Sequence, residues 1–221
     1  MKSQDHLREY YDVQYGAKSD TVADLSRVRQ NLQKMVFESG ARVLDVGCGI
    51  GTTCFYLKQR NALPVGVDFS YRAVHSALRL GNCAQVLQAD AEILPFADQI
   101  FDGATFMGTL EHFPNPVRAL QEVKRVVKER ALICFVVPNS RFFLFRFMRG
   151  TGQPYEKPRT YEGWQALFEE VELEVDTVYR DIGPDIFKGG LIRGLARKLI
   201  LIISSFLPIR QTYQFVFICH N

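Results

Sequence analysis

The stretch RVLDVGCGIGTT, residues 42–53, carries the strongest structural signal in this chain. Its first half, with Val43, Leu44 and Val46, is typical of a buried strand, and it leads into three glycines spaced two residues apart. A helix-like segment, 52–59, follows. A strand that passes through a glycine-rich turn into a helix forms a nucleotide-binding corner, because glycine allows close backbone approach and the amides at a helix start favour negative groups.

The spacing of the glycines indicates which nucleotide fits. The dinucleotide fingerprint G-x-G-x-x-G would place its third glycine at position 52, which is Thr52 here, whereas Gly51 comes one residue early. Asp45 also lies two residues before Gly47. A carboxylate there would repel a pyrophosphate and suits a ligand with a cationic amino-acid end. An ordinary tight turn is the alternative for these glycines.

The next strand also ends in an acid. Residues 63–68 form a short apolar segment that ends at Asp68. A carboxylate at the end of the second strand can accept hydrogen bonds from both hydroxyls of a ribose. Alternatively, Asp68 caps a helix that begins near Ser70.

Two further strands end in polar residues. The segment 85–89 ends at Asp90-Ala91, and 101–106 runs into Met107 to Phe113. Because the carboxyl ends of parallel strands lie at one edge of a sheet, these strand ends predict a single crevice.

Five segments in this order, VLDVGCGIG, GVDFS, QADAEILPF, FDGATFMGTLEHF and RALICFVVPN, resemble the class I S-adenosylmethionine-dependent methyltransferases. The chain is most similar to the small-molecule branch that includes ubiquinone-biosynthesis enzymes. The resemblance covers residues 36–140, with a weaker similarity at 160–180 and 213–219. It implies an α/β fold, a doubly wound, mostly parallel seven-stranded sheet with helices on both faces, and S-adenosyl-L-methionine as the cofactor.

The resemblance assigns the glycine loop to the methionine part of this cofactor. Gly47, Gly49 and Gly51 would let the loop pass beneath it, with Cys48 contributing backbone. Asp45 would orient the loop and favour the ammonium end of the cofactor, directly or through water.

The same resemblance assigns the nucleoside part. Asp68 is expected to hold the ribose hydroxyls, and Phe69 to lie against one face of the adenine. Asp90 would accept a hydrogen bond from the adenine amino group, while the amide of Ala91 meets a ring nitrogen.

Two more backbone and lid positions follow from the resemblance. Met107 and Gly108 come after the fourth strand, where the backbone of the family passes close to the methionine part. Tyr11, with neighbouring Tyr10 and Tyr15, resembles an amino-terminal lid, although aromatic residues near a terminus are also common as simple anchors.

Methyl transfer needs few catalytic groups, because the sulfonium already makes the methyl group electrophilic. Alignment of the acceptor atom with the S–CH3 bond supplies much of the rate. An oxygen or nitrogen acceptor can still require removal of a proton. His112 is the candidate general base, since its ordinary pKa lies near neutrality, and Glu111 is the alternative. His112 could instead cap the local helix or pack against Phe113.

Composition fits one globular enzyme domain. The chain has 221 residues, of which 47% are hydrophobic and 23% charged. A net charge of +3 is too small to indicate a nucleic-acid partner, and residues 107–110 lack the Asn/Asp-Pro-Pro-Tyr/Phe motif of many base-amino methyltransferases. The five cysteines contain no Cys-x-x-Cys pair, which predicts reduced thiols without a metal site. The polar amino terminus has no signal-peptide core, so we expect a cytoplasmic protein.

Strand-like and helix-like segments alternate along the chain, as in a doubly wound sheet. The periodicity predicts helices over 20–38, 70–80 and 116–128. The near-continuous apolar segment 131–137 predicts a strand at the centre of the sheet.

We expect a single domain, 1–221, with an amino-terminal helical lid over 1–35 and two acceptor-side insertions, 139–160 and 184–209. Residues 191–209 are apolar with a narrow basic edge but too interrupted to span a bilayer. This segment is a candidate pocket lid, peripheral membrane contact or homodimer contact, and simple packing on the domain is the alternative.

The sequence thus predicts methyl transfer to an oxygen or nitrogen atom, ahead of carbon, of a small, hydrophobic or lipid-linked acceptor. Two alternatives stay open at this point: a non-catalytic S-adenosylmethionine-binding regulator or scaffold, and a nucleotide-dependent oxidoreductase.

Overall fold

The computed structural model describes residues 2–17, 25–142, 156–181 and 208–221. The described helices are α1 (Lys2–Ala17), α2 (Leu25–Asn31), α3 (Thr52–Gln59), α4 (Tyr71–Arg79), α5 (Pro116–Val126) and α6 (Tyr161–Glu170). The described strands are β1 (Arg42–Val46), β2 (Leu63–Asp68), β3 (Gln85–Gln88), β4 (Phe101–Met107), β5 (Val127–Pro138), β6 (Glu174–Arg180) and β7 (Gln214–His220). Short 3₁₀ turns lie at Leu110–His112 and Ile209–Gln211.

The seven described strands form one sheet in the order β3-β2-β1-β4-β5-β7-β6. Strands β1 to β5 pair in parallel, and β7 runs antiparallel between β5 and β6. The strand order reverses between β1 and β4, and a crevice opens at the carboxyl ends of the strands at such a switch point. The predicted doubly wound, mostly parallel seven-stranded sheet is therefore confirmed.

Local sequence explains where the crossover helices begin. The Ser70 side chain caps α4 by accepting a hydrogen bond from the Ala73 amide. Asn115 caps α5 in the same way through the Arg118 amide, with Pro116 in the first turn. These caps satisfy amides that have no partner inside the helix, so they fix the start of each helix relative to the strand before it.

Apolar side chains fill both faces of the sheet. On one face Phe106, Phe135 and Phe168 stack with ring centroids 4.9 and 4.7 Å apart. On the other face, β1 and β5 pack against Leu32 and Met35. Burial on both faces explains why the central strands are apolar over their whole length.

Two predicted helix bounds are wrong at their carboxyl ends. The helix expected over 20–38 ends at Asn31, and Arg60 donates hydrogen bonds to the Leu32 and Met35 carbonyls that a longer helix would have used. The helix expected over 116–128 ends at Val126 because Val127 already pairs with Phe101 in the sheet. Tertiary contacts override helical periodicity at both places.

The acceptor-side insertions lie mostly outside the described residues. Of 139–160 the structure describes 139–142 and 156–160, and of 184–209 it describes 208 and 209. The predicted roles of 191–209 therefore stay predictions. Among the helices that are described, none combines the length and apolar character needed to cross a membrane.

Candidate active site

A cavity of about 770 Å³ opens at the carboxyl ends of the central strands. Its volume is in the range of small-molecule sites. The wall includes the following residues predicted from the sequence: Tyr11, Gly47, Cys48, Gly49, Asp68, Phe69, Asp90, Ala91, Met107, Gly108, Glu111 and His112. Asp45 and Gly51 are not part of the wall. The predicted single crevice therefore exists and collects residues from four strand ends.

Several amides of the glycine loop donate hydrogen bonds to backbone carbonyls of the protein. Gly47, Gly49 and Gly51 all have positive φ, at 71°, 55° and 82°. The amides of Gly47 and Cys48 both donate to the Val67 carbonyl, at 2.8 and 3.0 Å, and the Gly51 amide donates to Cys48 at 2.9 Å. A phosphate-binding loop instead presents unpaired amides to its ligand. This loop is therefore poorly suited to a pyrophosphate, which disfavours a dinucleotide-dependent oxidoreductase.

Asp68 connects the glycine loop to the next helix. Its carboxylate, only 8% exposed, accepts hydrogen bonds from the Gly49 and Ser70 amides, both at 2.8 Å. A carboxylate has about four acceptor positions, so it can accept from backbone amides and from ligand hydroxyls at the same time. Asp68 therefore combines the two roles that the sequence left open, since it orders the start of α4 and also faces the cavity.

Asp45 lies behind the loop. Its carboxylate is 1% exposed and accepts a hydrogen bond from Thr105 Oγ1 at 2.7 Å, with Cys54 Sγ at 3.6 Å. Burial raises the pKa of Asp45 to about 7. Asp45 thus ties β1 to β4 below the loop, and its direct contact with the ammonium end of a cofactor stays a prediction.

Phe69, Asp90 and Ala91 form the far end of the cavity. The Asp90 side chain accepts a hydrogen bond from the Glu92 amide at 2.9 Å, which fixes the turn after β3. The Arg8 guanidinium lies 4.7 Å from the centre of the Phe69 ring. This wall of one aromatic ring and one carboxylate suits a flat, hydrogen-bonding ring such as adenine.

Helix α1 covers the glycine loop. Asp12 accepts hydrogen bonds from the Ser70 hydroxyl and from the Arg72 amide, so α1 is attached to the start of α4. Tyr15 lies so close to the loop that a Cβ at Gly49 would be 2.7 Å from its hydroxyl oxygen. Leu7, Tyr10, Tyr11, Gln14 and Tyr15 line the cavity. These contacts favour the predicted lid, which stays a prediction.

Glu111 and His112 lie on the 3₁₀ turn after β4. Glu111 is 4% exposed, and burial raises the pKa of its carboxyl to about 8. Burial lowers the pKa of His112 to about 4. His112 Nε2 lies 3.8 Å from Glu111 Oε1, while His112 Nδ1 and Glu111 Oε2 have no hydrogen-bond partner within the described part of the chain. Both pKa shifts favour the uncharged form of the group at neutral pH.

Residues distant in sequence complete the wall next to this turn. Arg27 and Asn31 of α2 line the cavity together with Glu156, Tyr213 and Gln214. The sequence interpretation missed all five. A polar Asn31 among the apolar positions Val28, Leu32 and Met35 was a usable signal, but nothing local brings β7 to this site.

The wall carries more acid than base. Asp68, Asp90, Glu92 and Glu156 line it, whereas Arg27 forms a 2.7 Å ion pair with Asp181. A cationic ligand such as a sulfonium fits this balance. The five cysteines are buried free thiols, as predicted. No group of histidines, cysteines and acids with metal-binding geometry occurs in the described ranges.

Comparison with known proteins gives the following matches. Residues 44–135 match a family model described as "Methyltransferase domain". The 2-methyl-6-phytyl-1,4-hydroquinone methyltransferase 1 of Oryza sativa is 29% identical over 170 residues, which are 72% of this chain and 50% of that protein. The ubiquinone biosynthesis O-methyltransferase of Alkalilimnicola ehrlichii is 30% identical over 155 residues, 65% of this chain and 63% of that protein. The chain thus spans about half to two thirds of the length of these relatives.

The fold is shared with solved structures. A S-adenosylmethionine-dependent methyltransferase from Thermotoga maritima superposes with a TM-score of 0.69 at 22% identity and covers 97% of this chain and 98% of that chain. At this identity the match shows a common fold.

Proposed function

Because residues 44–135 form a domain of the class I S-adenosylmethionine-dependent methyltransferase family, we propose that this chain methylates a ring hydroxyl of a hydrophobic, hydroquinone-type acceptor. S-adenosyl-L-methionine is the cofactor of this domain. The observation that carries the proposal is one cavity that is lined by Asp68 and Asp90 at the proposed nucleoside side and by the buried Glu111 and His112 at the other.

The cofactor side is assigned to β1, β2 and β3. Asp68 binds the ribose hydroxyls, and Phe69, Asp90 and Ala91 surround the adenine. The glycine loop, with Met107 and Gly108, contacts the methionine part. The support is that Asp68 is held by two backbone amides in the wall, so its carboxylate is already oriented before a ligand binds.

The acceptor side is assigned to the turn after β4 and to α2. The relatives act, by name, on a hydroquinone and in ubiquinone biosynthesis, and both kinds of molecule pair an oxygen-substituted ring with an apolar tail. The uncharged state of Glu111 and His112 at neutral pH favours a neutral ring over a charged acceptor. The names of the relatives and the protonation of Glu111 and His112 thus independently favour a neutral ring as acceptor.

His112 is proposed as the general base. The bound cofactor supplies a methyl group made electrophilic by its sulfonium. His112, whose Nδ1 has no hydrogen-bond partner among the described residues, would accept the proton of the acceptor hydroxyl as the O–CH3 bond forms and the S–CH3 bond breaks. S-adenosylhomocysteine would be the other product, and the proton would then pass to solvent. Because the imidazole is neutral, its base form is present throughout the neutral range, and ionised Glu111 would stabilise the imidazolium above pH 8.

Transfer of label tests the proposal. The protein is incubated with methyl-labelled S-adenosylmethionine and a panel of hydroquinones and catechols with and without apolar tails, and methylated products are identified by mass. We expect methyl ethers from the tailed hydroquinones. Binding of S-adenosylhomocysteine without methylation of any panel member would contradict the acceptor proposal and favour a non-catalytic cofactor-binding protein.

A further inference from the structure

Asn31 is a buried amide without internal partners. Its side chain is 0% exposed, and neither Oδ1 nor Nδ2 has a hydrogen-bond partner among the described residues. Asn139 is equally buried, but its Nδ2 donates to the carbonyls of Arg210 and Thr212 and its Oδ1 accepts from the Arg141 amide. An unpaired buried amide costs free energy. Asn31 therefore differs from a structural asparagine of the same protein.

The position of Asn31 is nevertheless fixed. Its backbone carbonyl accepts hydrogen bonds from the Tyr179 hydroxyl and, at 3.6 Å, from Cys134 Sγ. These contacts hold the end of α2 against β5 and β6. These hydrogen bonds fix the backbone of Asn31 while its side chain lines the cavity.

The surroundings of α2 place Asn31 on the acceptor side. Arg27, one turn earlier on the same helix face, pairs with Asp181 after β6 and with Gln214 of β7. The residues assigned to ribose and adenine lie instead at the ends of β2 and β3, beyond β1 in the sheet. Asn31 is therefore separated from the nucleoside end by the width of the central strands.

Other unpartnered polar atoms border the same cavity. Tyr11 Oη, Glu111 Oε2 and His112 Nδ1 also have no hydrogen-bond partner in the described part of the chain. Four such groups around one cavity are unusual, since buried polar groups are nearly always paired. A bound molecule with polar substituents would satisfy them together.

We propose that the side-chain amide of Asn31 binds an oxygen substituent of the acceptor ring and so selects hydroxylated or oxo-substituted rings. A side-chain amide has both a donor and an acceptor, so it can pair with a hydroxyl or with a carbonyl. A hydroquinone carries hydroxyls where a quinone carries carbonyls, so Asn31 could bind either ring. This inference rests on the proposed function, because it assumes that the acceptor occupies this side of the cavity.

The test compares Asn31→Leu, and Asn31→Ala as a variant that cannot overfill the site, with Asn139→Leu as the matched control. Calorimetry measures the Kd of a tailed hydroquinone in the presence of saturating S-adenosylhomocysteine, the Kd of S-adenosylhomocysteine alone, and Tm. For both Asn31 variants we expect about a tenfold weaker hydroquinone Kd and an S-adenosylhomocysteine Kd within about twofold. Asn31→Leu should keep or raise Tm, whereas Asn139→Leu should lower it.

Each other outcome is decisive. An unchanged hydroquinone Kd overturns the inference, as does a weaker S-adenosylhomocysteine Kd with unchanged hydroquinone binding, which would assign Asn31 to the cofactor. A Tm loss in Asn31→Leu as large as in Asn139→Leu would make Asn31 structural. If wild type binds hydroquinone but does not methylate it, the proposed function fails while the Kd comparison still judges Asn31. If wild type does not bind hydroquinone, both proposals fail.

Discussion

The glycine loop and the proposed acceptor wall, formed by α2 and the turn Leu110–His112, line one cavity, but polar groups in the two regions differ in their hydrogen bonding. In the loop, the amides of Gly47, Cys48 and Gly49 and the carboxylate of Asp68 are bonded to protein partners. In the acceptor wall, side-chain atoms of Asn31 and His112 have no such partner in the described residues. The proposed function therefore expects the first region to be ordered before a ligand binds and the second to be completed by the acceptor.

This difference separates two demands on a transferase. A cofactor that is the same in every turnover is best bound by a preorganised site, because groups that are already ordered lose little conformational entropy on binding. An acceptor is selected by groups that remain unsatisfied until the right molecule pairs with them, since a ligand that lacks the polar atom leaves a buried group unpaired. The predictions below test this division.

The largest effect is expected at the acceptor wall. Replacing His112 by alanine should lower kcat about 1000-fold, because a positioned base contributes about two to four orders of magnitude, while the Kd of S-adenosylhomocysteine stays within about twofold. Steady-state kinetics and calorimetry measure the two quantities. His75→Ala, which changes a histidine of α4 outside the cavity wall, is the control and should be unchanged. An unchanged kcat in His112→Ala at saturating acceptor would remove His112 from the mechanism.

A substitution at the proposed cofactor site should instead change the affinity for the cofactor product. Asp68→Asn removes the charge and replaces one acceptor oxygen by a donor, so it disrupts a contact to the Gly49 or Ser70 amide. We expect S-adenosylhomocysteine to bind about 100-fold more weakly, since hydrogen bonds to charged groups contribute about 1.5–3 kcal/mol each. Asp102→Asn, an acid at the opposite end of the sheet, is the calorimetric control. Wild-type affinity in Asp68→Asn would contradict the ribose assignment.

The contact between α1 and the glycine loop predicts a smaller effect. Gly49→Ala forces a side chain into φ of 55° and places its Cβ 2.7 Å from the Tyr15 hydroxyl oxygen. We expect a loss of about 1–2 kcal/mol in the free energy of unfolding from the backbone alone, measured by urea denaturation. Tyr15→Phe in the Gly49→Ala background should recover part of the loss. A double variant no more stable than Gly49→Ala would show that α1 does not press on the loop.

A fourth prediction concerns the dependence of stability on pH. The pKa of Glu111 is raised from 4.5 to about 8 in the fold, so the folded state binds a proton that the unfolded chain has released. Stability from this group is complete below pH 4.5 and is lost as the pH rises to about 8. Glu111→Gln should therefore gain in Tm relative to wild type between pH 6.5 and 8.5.

Two matched measurements isolate that effect. Asp45, whose pKa is raised to about 7, contributes in the same direction but is present in both proteins, so the difference between them reports Glu111 alone. A constant Tm difference across this pH range would mean that Glu111 is ionised throughout. The uncharged form that we assign to Glu111 would then be wrong.

The regions also differ in how far the sequence predicts them. The loop, β2 and α4 are continuous in sequence, and their glycine spacing, caps and strand ends predicted the helix 52–59 and the strand 63–68 with the bounds found in the structure. Local rules suffice for these bounds, because apolar periodicity and glycine positions within each segment decide where the helix and the strand begin and end.

The acceptor wall depends on long-range contacts. Arg27 and Asp181 meet across 154 positions, and the Tyr179 hydroxyl reaches the Asn31 carbonyl across 148. No periodicity encodes such pairs. The end of α2 at Asn31 was mispredicted for the same reason, since Arg60 takes the carbonyls that would have extended the helix. The position of Asp45 behind the loop likewise depends on Thr105 of the neighbouring strand.

The most direct test of the division is a calorimetric titration of S-adenosylhomocysteine into wild type, Asp68→Asn and Asn31→Leu under one set of conditions. We predict one molecule bound per wild-type chain, the same affinity in Asn31→Leu, and a loss of about two orders of magnitude in Asp68→Asn. No binding to the wild-type protein, or an equal loss of affinity in the two variants, would contradict the account. The cavity would then not be divided into a preorganised cofactor site and a separate acceptor site.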